Sequence, residues 1–543
     1  MHLSLGAGVP VRVRPAADAA GSTVYYRRRI IGTRTNQESG MIAYLLALTL
    51  GATNPSGATD TTPAQAAGTW LVSDVTVIPA DTDEVLPHRS VLIRDGRVVR
   101  ILAPGAKEEA SDATIIDGRG KYLVPGFVDA HVHLANEGAI RDNKDPAISG
   151  LDLGQTHRYD RQVMLGLLKA GVTGAANLGG GPRSDEDLLW LREEIAAGRI
   201  AGPQLYVGKR INGPRAAVAL QPAAAVPPSK PEAPTTAADG AEAVRQARER
   251  GYDFIKPYQF LNRETYRAVV DEAGRQGMIT SGHLPELGCA SCADRAFAFA
   301  HPMDNIAHSE ELTRYARIGS DLSPRDLDAL VDAVAERRIA VTPTLVTLKT
   351  IVGMYVQRAV PLVPGDWAAR VDPVTRIDWA PPANRYLSQA FRDQDGADTF
   401  SAGYDFARVL TRQLWKRGVP LTVGTDASLP GLVFGVSVQQ EMIELREIGL
   451  RPIEVLRAAS INAHRLFDPT GGSGAVREGE RANLVLLDAD PLADLHNVSK
   501  IAGVFAQGRW LPMAEIDRRL DEGRAFEQAL TRQIQAHKAH PAE

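Results

Sequence analysis

The sequence predicts an α/β protein: a (β/α)8, TIM-like barrel with a small β-sandwich domain built from both flanks of the barrel. Three observations predict it. From about residue 125, a short apolar run, a loop, an amphipathic helix, a Gly and another apolar run recur along the chain. Such runs begin near 127, 172, 204, 254, 278, 304, 339 and 420, the eight strands that a parallel barrel alternating with helices requires. The flanks, 67–125 and 470–512, carry short β-type runs instead, and neither is long enough for a core of its own.

Residues 1–40 show no sustained periodicity and read as a gene-model extension or a disordered segment. The apolar run Met41–Leu50 is far shorter than the roughly 20 residues a bilayer requires. Arg27, Arg28 and Arg29 precede it, and small residues follow, with cleavage motifs ending at Ala52 or Ala66. A signal peptide over 41–66 is therefore expected, and with it an exported protein, periplasmic or secreted. Leu71–Ile78, Ser90–Arg94 and Arg97–Ile101 read as strands, with Asp95-Gly96 as the turn between the last two.

Within the barrel region 126–469, Tyr266, Val269, Val270 and Ala273 form one helical face; Leu327, Leu330, Val331 and Val334 form another. Gly171, Gly251 and Gly277 each close a helix before a strand. A doubly wound open sheet would bring a Gly-rich phosphate loop after its first strand, and none follows the run at 127. Pro214, Pro222, Pro227, Pro228, Pro231 and Pro234 crowd an Ala-rich stretch, 214–238, expected to be a flexible surface insertion. Asn483–Leu487 and Gly503–Phe505 return to β-type sequence, and 513–543 reads as a polar C-terminal helix or tail.

Lys plus Arg is 61 and Asp plus Glu is 65, a formal charge of −4. That balance argues against nucleic acid as a partner and gives no reason to expect a membrane surface in the mature form. The two cysteines, Cys289 and Cys292, cannot build a zinc module; they form a local disulfide or remain two free thiols.

The polar residues at the strand ends carry the chemistry. His131 and His133 stand at i and i+2 in Pro125-Gly-Phe-Val-Asp-Ala-His-Val-His-Leu134, so alternation puts both on one face. Lys256, His283, His308 and Asp426 fall at the ends of the runs at 254, 278, 304 and 420. Singly, each is ordinary: a packed imidazole, a solvated amine, a capping carboxylate. Together they converge on the rim where such barrels place their sites, and imidazoles with a carboxylate suit zinc or a similar divalent ion. Tyr258, two residues beyond Lys256, shares that rim as a candidate substrate contact or as a packing aromatic.

With these motifs in view, the chain resembles the amidohydrolase superfamily, in its imidazolonepropionase-like and metal-dependent prolidase branch. The resemblance runs from about Leu71 to Trp510 and includes Phe-Ile-Lys-Pro-Tyr, Ser-Gly-His-Leu-Pro, Asn-Ile-Ala-His and Gly-Thr-Asp-Ala. Asn483 stands where such proteins often have Asp. The resemblance implies two divalent ions, zinc above all. His131, His133 and Asp426 would bind one, His283 and His308 the other, and Lys256, carbamylated by CO2, would bridge them. It further implies a hydroxide between the metals that attacks an amide carbonyl, with Asp426 as the catalytic proton acceptor and donor.

The expected activity is cleavage of an amide C–N bond in a small-molecule substrate, a dipeptide of Xaa-Pro type or an N-acyl amino acid. A cyclic-amide hydrolase or an aminohydrolase is the alternative, the latter because Glu286 follows His283 by three residues. A non-catalytic binding protein is the remaining one, disfavoured because all six ligands are present. A homo-oligomer is compatible with these readings. The segment from Val346 to about Gly403 is expected to help cover the pocket, and Arg358, Arg370, Arg376 and Arg385 within it are candidates to hold a substrate carboxylate. His301 and His157 have no clear register.

Overall fold

The computed structural model describes residues 68–539, except 107–110, 135–155, 180–181, 215–232, 286–293, 317–323, 362–364, 372–375, 377–378, 381–383, 388–393, 428, 470 and 473. The expected extension and signal peptide, Glu286, the pair Cys289 and Cys292, and most of the Pro-rich insertion lie outside the described residues. No helix among the described residues is long and apolar enough to cross a membrane.

Five strands come first: β1 (Trp70–Val77), β2 (Leu86–Arg94), β3 (Arg97–Leu102), β4 (Thr114–Asp117) and β5 (Tyr122–Pro125). Seven follow with helices between them: β6 (Phe127–Val132), β7 (Val172–Asn177), β8 (Gln204–Ile211), β9 (Phe254–Pro257), β10 (Ile279–Gly282), β11 (Asn305–Ala307) and β12 (Ala340–Thr342). The last three are β13 (Leu484–Leu487), β14 (Ile501–Ala506) and β15 (Arg509–Pro512).

β6 to β12 form one parallel sheet in sequence order. The eighth position is held not by a regular strand but by the segment 420–427, which bridges Val341 through Leu421 and Val132 through Ala427. Its amides and carbonyls still pair on both sides: Val341 N–H donates to Pro420 O at 3.0 Å, and Ala130 N–H donates to Val423 O at 2.8 Å. Pro420 and Gly424 explain the irregularity, because proline lacks a donor and glycine leaves the ladder weakly specified. The barrel is therefore closed, as the eight apolar runs predict. Val128, Ala130, Ala176, Tyr206, Phe254, Ala307 and Ala340 share one small apolar cluster, joined by Phe467 from the helix Ile461–Phe467.

The remaining strands form a mixed sheet ordered β15-β14-β13-β5-β1-β2-β3, with β4 beside β1. Its centre joins strands from opposite ends of the chain: β5 pairs antiparallel with β13, Val124 opposite Val485. The turn between β2 and β3 has Asp95 at φ 51° and Gly96 at φ 75°, the two left-handed residues that an Asp-Gly hairpin supplies. Asn483 pins the junction, accepting from Gln507 N–H at 2.7 Å. The C-terminal helix Met513–Ala539 returns to the barrel, with Lys169 2.7 Å from Asp517.

Two expectations are refined. The covering segment after β12 is largely helical, beginning with Leu345–Gln357 and ending in Gln394–Lys416. The helix after the Pro-rich insertion starts at Ala237, where Thr236 and Asp239 form a reciprocal cap.

Phe505 is fully buried in the mixed sheet, with its ring 4.8 Å from Trp510 and 6.4 Å, edge-on, from Trp70. Phe505→Ala should cost about 3–5 kcal/mol of stability in urea unfolding, and a loss below about 1 kcal/mol would show that this core is not organised around that ring.

Candidate metal centre

The six residues expected at the strand ends lie together. His131 is in β6 and Lys256 in β9; His133, His283 and His308 follow β6, β10 and β11. Asp426 stands in the segment that closes the barrel. The pairing of β6 with β7 slips between Asp129 and Val132; His131 lies within that slip and His133 just beyond it, and both imidazoles reach Asp426.

Two of the six occupy left-handed backbone, His308 at φ 70° and Asp426 at φ 55°, and so does Thr344 at φ 53°. Such residues cost about 1–3 kcal/mol each and persist only where the surroundings hold them. Here His308 N–H donates to Thr342 O at 2.8 Å, and Asp426 N–H donates to His131 O at 2.7 Å. Gly424 lets the closing segment approach, since a Cβ there would lie 2.4 Å from a Thr342 methyl and 2.9 Å from His131 Cβ.

His131 Nε2 lies 3.1 Å and His133 Nε2 3.0 Å from Asp426 Oδ1, and the two nitrogens are 3.4 Å apart. Three tetrahedral donors about 2.1 Å from one zinc ion would be separated by about 3.4 Å, so this trio fits a metal. Among the described residues this is the group of three that could hold an ion. Beside it, the rings of His283 and His308 are 5.0 Å apart, and His308 Nε2 is 3.9 Å from Asp426 Oδ2. Lys256 Nζ is 3.4 Å from His131 Nε2.

The electrostatics suit a cation. Burial holds all four imidazoles below the usual histidine value, His131 down to about 3. Burial opposes ionisation of Asp426, but His131, His308 and His133 outweigh it and hold the carboxyl well below its usual range. Neutral imidazoles and an ionised carboxylate are the forms that bind a metal. Lys256 is only 1% exposed, and burial lowers its amine to about 7, against the opposing charge of Asp426.

Neighbours orient the ligands. His133 Nδ1 donates to Gly179 O at 2.9 Å; a carbonyl only accepts, so Nε2 keeps its lone pair for a metal. His308 Nδ1 is 2.9 Å from the Thr344 hydroxyl, and His283 Nδ1 is 3.0 Å from Glu311. Asp129 accepts from Thr425 Oγ1 at 2.7 Å, Thr425 N–H at 3.1 Å and His131 N–H at 3.2 Å, binding β6 to the closing segment. Sequence reasoning passed over Asp129 and Glu311. Their signals were present: an Asp two residues before His131, and an acidic pair just after His308. Gly179 and Thr344 act from loops whose positions only the fold reveals.

Tyr258 does share the rim, its ring 4.7 Å from that of His283 and 4.9 Å from Lys256 Nζ. Two arginines of the covering segment, Arg370 and Arg376, are engaged elsewhere. Arg376 donates to Val371 O and Ala368 O, Arg370 lies 3.5 Å from Asp517, and Arg358 is exposed where its helix ends. The side chain of Arg385 lies outside the described residues, as does that of His157, while His301 packs on Phe297 away from the cluster.

A model of the Amidohydrolase family matches residues 408–511, the stretch running from before Asp426 back into the mixed sheet. An adenine deaminase of Rubrobacter xylanophilus is 27% identical over 224 residues, 40% of this chain; the aligned part spans 32% of that curated relative's length. Among solved structures, bottromycin amidohydrolase superposes with a TM-score of 0.60 at 25% identity, covering 84% of this chain and 90% of its own. A Bifidobacterium longum protein assigned as a prolidase superposes with a TM-score of 0.60 at 21% identity, covering 84% and 99%. These neighbours are prolidase and amidohydrolase members of the amidohydrolase superfamily, and this chain has their fold.

Lys256 gives the site a measurable signature. Its amine is protonated below about 7 in the folded protein and below 10.5 when free. Between those values the unfolded chain binds more protons, so stability rises with pH across the window. In chelator-treated, CO2-free protein, the urea midpoint should climb from pH 7.5 to 9.5 relative to Lys256→Met. Parallel profiles for the two proteins would show that the folded amine titrates normally.

Proposed function

We propose that this chain, with an amidohydrolase family match over 408–511 and that superfamily's fold, is a metal-dependent hydrolase of amide C–N bonds. The substrates proposed are dipeptides, Xaa-Pro among them, and N-acyl amino acids. One observation carries the reading: His131, His133 and Asp426 present ligand atoms within 4.8 Å of one another, with His283, His308 and Lys256 against them. His131, His133 and Asp426 would hold one ion, His283 and His308 a second, zinc in each case. The bound ions would supply Lewis acidity for the scissile carbonyl and for the water that attacks it.

Lys256 is suited to bridge as a carbamate. At a value of about 7, much of its amine is neutral near neutral pH, and only the neutral nitrogen attacks CO2. The new N–C bond forms as one proton leaves, giving a carbamate with one negative charge over two oxygens. Asp426, held ionised, takes the proton of the attacking water and returns it to the leaving nitrogen. The Tyr258 ring stands beside Lys256 and His283, where it would contact substrate.

The match to an adenine deaminase favours a second reading, release of ammonia from an aminated ring. A buried lysine among the imidazoles favours the amide reading, because a bridging ligand belongs to a two-metal site. Export, read from the segment 41–66, remains part of the proposal; N-terminal sequencing of protein from its native host should find the mature chain beginning beyond that segment.

Chelation should abolish hydrolysis of a dipeptide and N-acyl amino acid panel, and added zinc should restore it; full activity in protein shown metal-free by elemental analysis would refute the reading. Asp426→Asn should lower turnover by about 10²–10⁴-fold with a cooperative melt retained. Ammonia release from aminopurines without cleavage of any acyclic amide would establish the deaminase instead.

A further inference from the structure

Arg210 has a place in the fold that none of the chemistry above uses. It lies at the carboxyl end of β8 and pairs in register with Lys256 of β9, so both side chains share one face of the sheet. Its guanidinium carbon lies 5.4 Å from the centre of the Tyr258 ring, whose other neighbours are Lys256 Nζ at 4.9 Å and the His283 ring at 4.7 Å. A Cβ on Gly179, the residue that holds His133, would lie 2.7 Å from Arg210 Cβ. Arg210 therefore adjoins the cluster, and its charge bears on both His133 and Lys256.

Among the described residues, no carboxylate forms an ion pair with Arg210. Guanidinium does not deprotonate in proteins, so this charge is permanent. A permanent cation beside ligands arranged for divalent ions raises the energy of the site unless an anion joins it. A guanidinium is drawn to an aromatic face such as that of Tyr258, and its planar N–H fork matches a planar anion such as a carboxylate.

We infer that Arg210 binds the free carboxylate of the substrate, with Tyr258 as its platform, and thereby selects amides flanked by an unmodified carboxyl group. This rests on the hydrolytic reading for turnover but not for binding. It transfers to the barrel rim the role expected for arginines of the covering segment.

The test uses the zinc-loaded full chain, with Arg210→Met and Arg210→Lys variants checked for unchanged melting and zinc content. Turnover is measured for dipeptides and their C-terminal carboxamides, and binding is measured calorimetrically for L-proline, L-methionine and N-acetylglycine against their carboxamides. Wild type should favour the acids. Arg210→Met should raise KM and Kd for the acids by about 10- to 150-fold, the value of a hydrogen bond to a charged group, and barely change the carboxamides. Arg210→Lys should restore part of the loss. If the variants do not fold, the acid-against-carboxamide comparison in wild type decides the matter. Equal losses on acids and carboxamides, no loss, or no preference for acids in wild type would each overturn the inference. Turnover indifferent to the carboxylate would overturn it while leaving the hydrolytic reading intact. Acid binding that depends on Arg210, without turnover of any amide, would do the reverse.

Discussion

Closure of the barrel by an irregular segment is the constraint on which the site depends. Residues 420–427 make only isolated bridges to the strands beside them. What fixes the segment is the buried carboxylate of Asp129, which takes the Thr425 hydroxyl, the Thr425 amide and the His131 amide together. Because a buried carboxylate is costly unless its lone pairs are filled, this arrangement has few alternatives. It sets the backbone of His131 against that of Asp426, and the two side chains meet as a result. The placement of the His131 and Asp426 side chains is thus specified by hydrogen bonds to the Asp129 carboxylate and between the backbones of the two residues themselves.

The side of the cluster next to His308 is held by a different device. Glu441, buried in the helix Val436–Glu447, accepts from Leu345 N–H at 3.0 Å and Val346 N–H at 2.6 Å, the first turn of the helix Leu345–Gln357. Burial raises the Glu441 carboxyl to about 8, and its two oxygens satisfy N–H groups that the first turn of a helix leaves without intrahelical partners. Thr347 in the same turn donates to Thr425 O at 2.7 Å. Thr344, just before it, contacts His308. The covering segment is therefore anchored to both halves of the cluster, and left-handed backbone at Thr344, His308 and Asp426 is tolerated because each sits inside this mesh.

Much of this was legible in the sequence. Apolar runs marked all eight strand positions, since burial on both faces leaves continuous hydrophobic sequence. His131, His133, Lys256, His283, His308 and Asp426 were legible because each follows or ends such a run. Asp95-Gly96 was legible because few dipeptides supply two left-handed residues. What escaped is what depends on distant partners. Glu441 is about a hundred residues from the turn it caps, and it sits in a largely buried helix whose sequence does not mark its partner. Arg370 and Arg376 illustrate the converse: a charge in the right segment says nothing about its direction. Arg210 was hidden because a charged residue near a strand end is ordinary until the register with Lys256 is known.

The mixed sheet has a consequence for biosynthesis. Lys121, beside β5, and Asp488, beside β13, form an ion pair between residues 367 apart in the chain. A ribosome releasing the chain from its amino end therefore delivers β1 to β5 long before the strand that completes them. Until β13 and β14 emerge, β5 presents an open edge with Leu123 and Val124 uncovered, the kind of edge that recruits other chains. Loop closure over such a span also makes the pairing a late event. The barrel strands are complete in the nascent chain before this sheet can be, so a polypeptide interrupted before residue 484 would be a hazard to its neighbours, and holding that edge is a natural task for a chaperone.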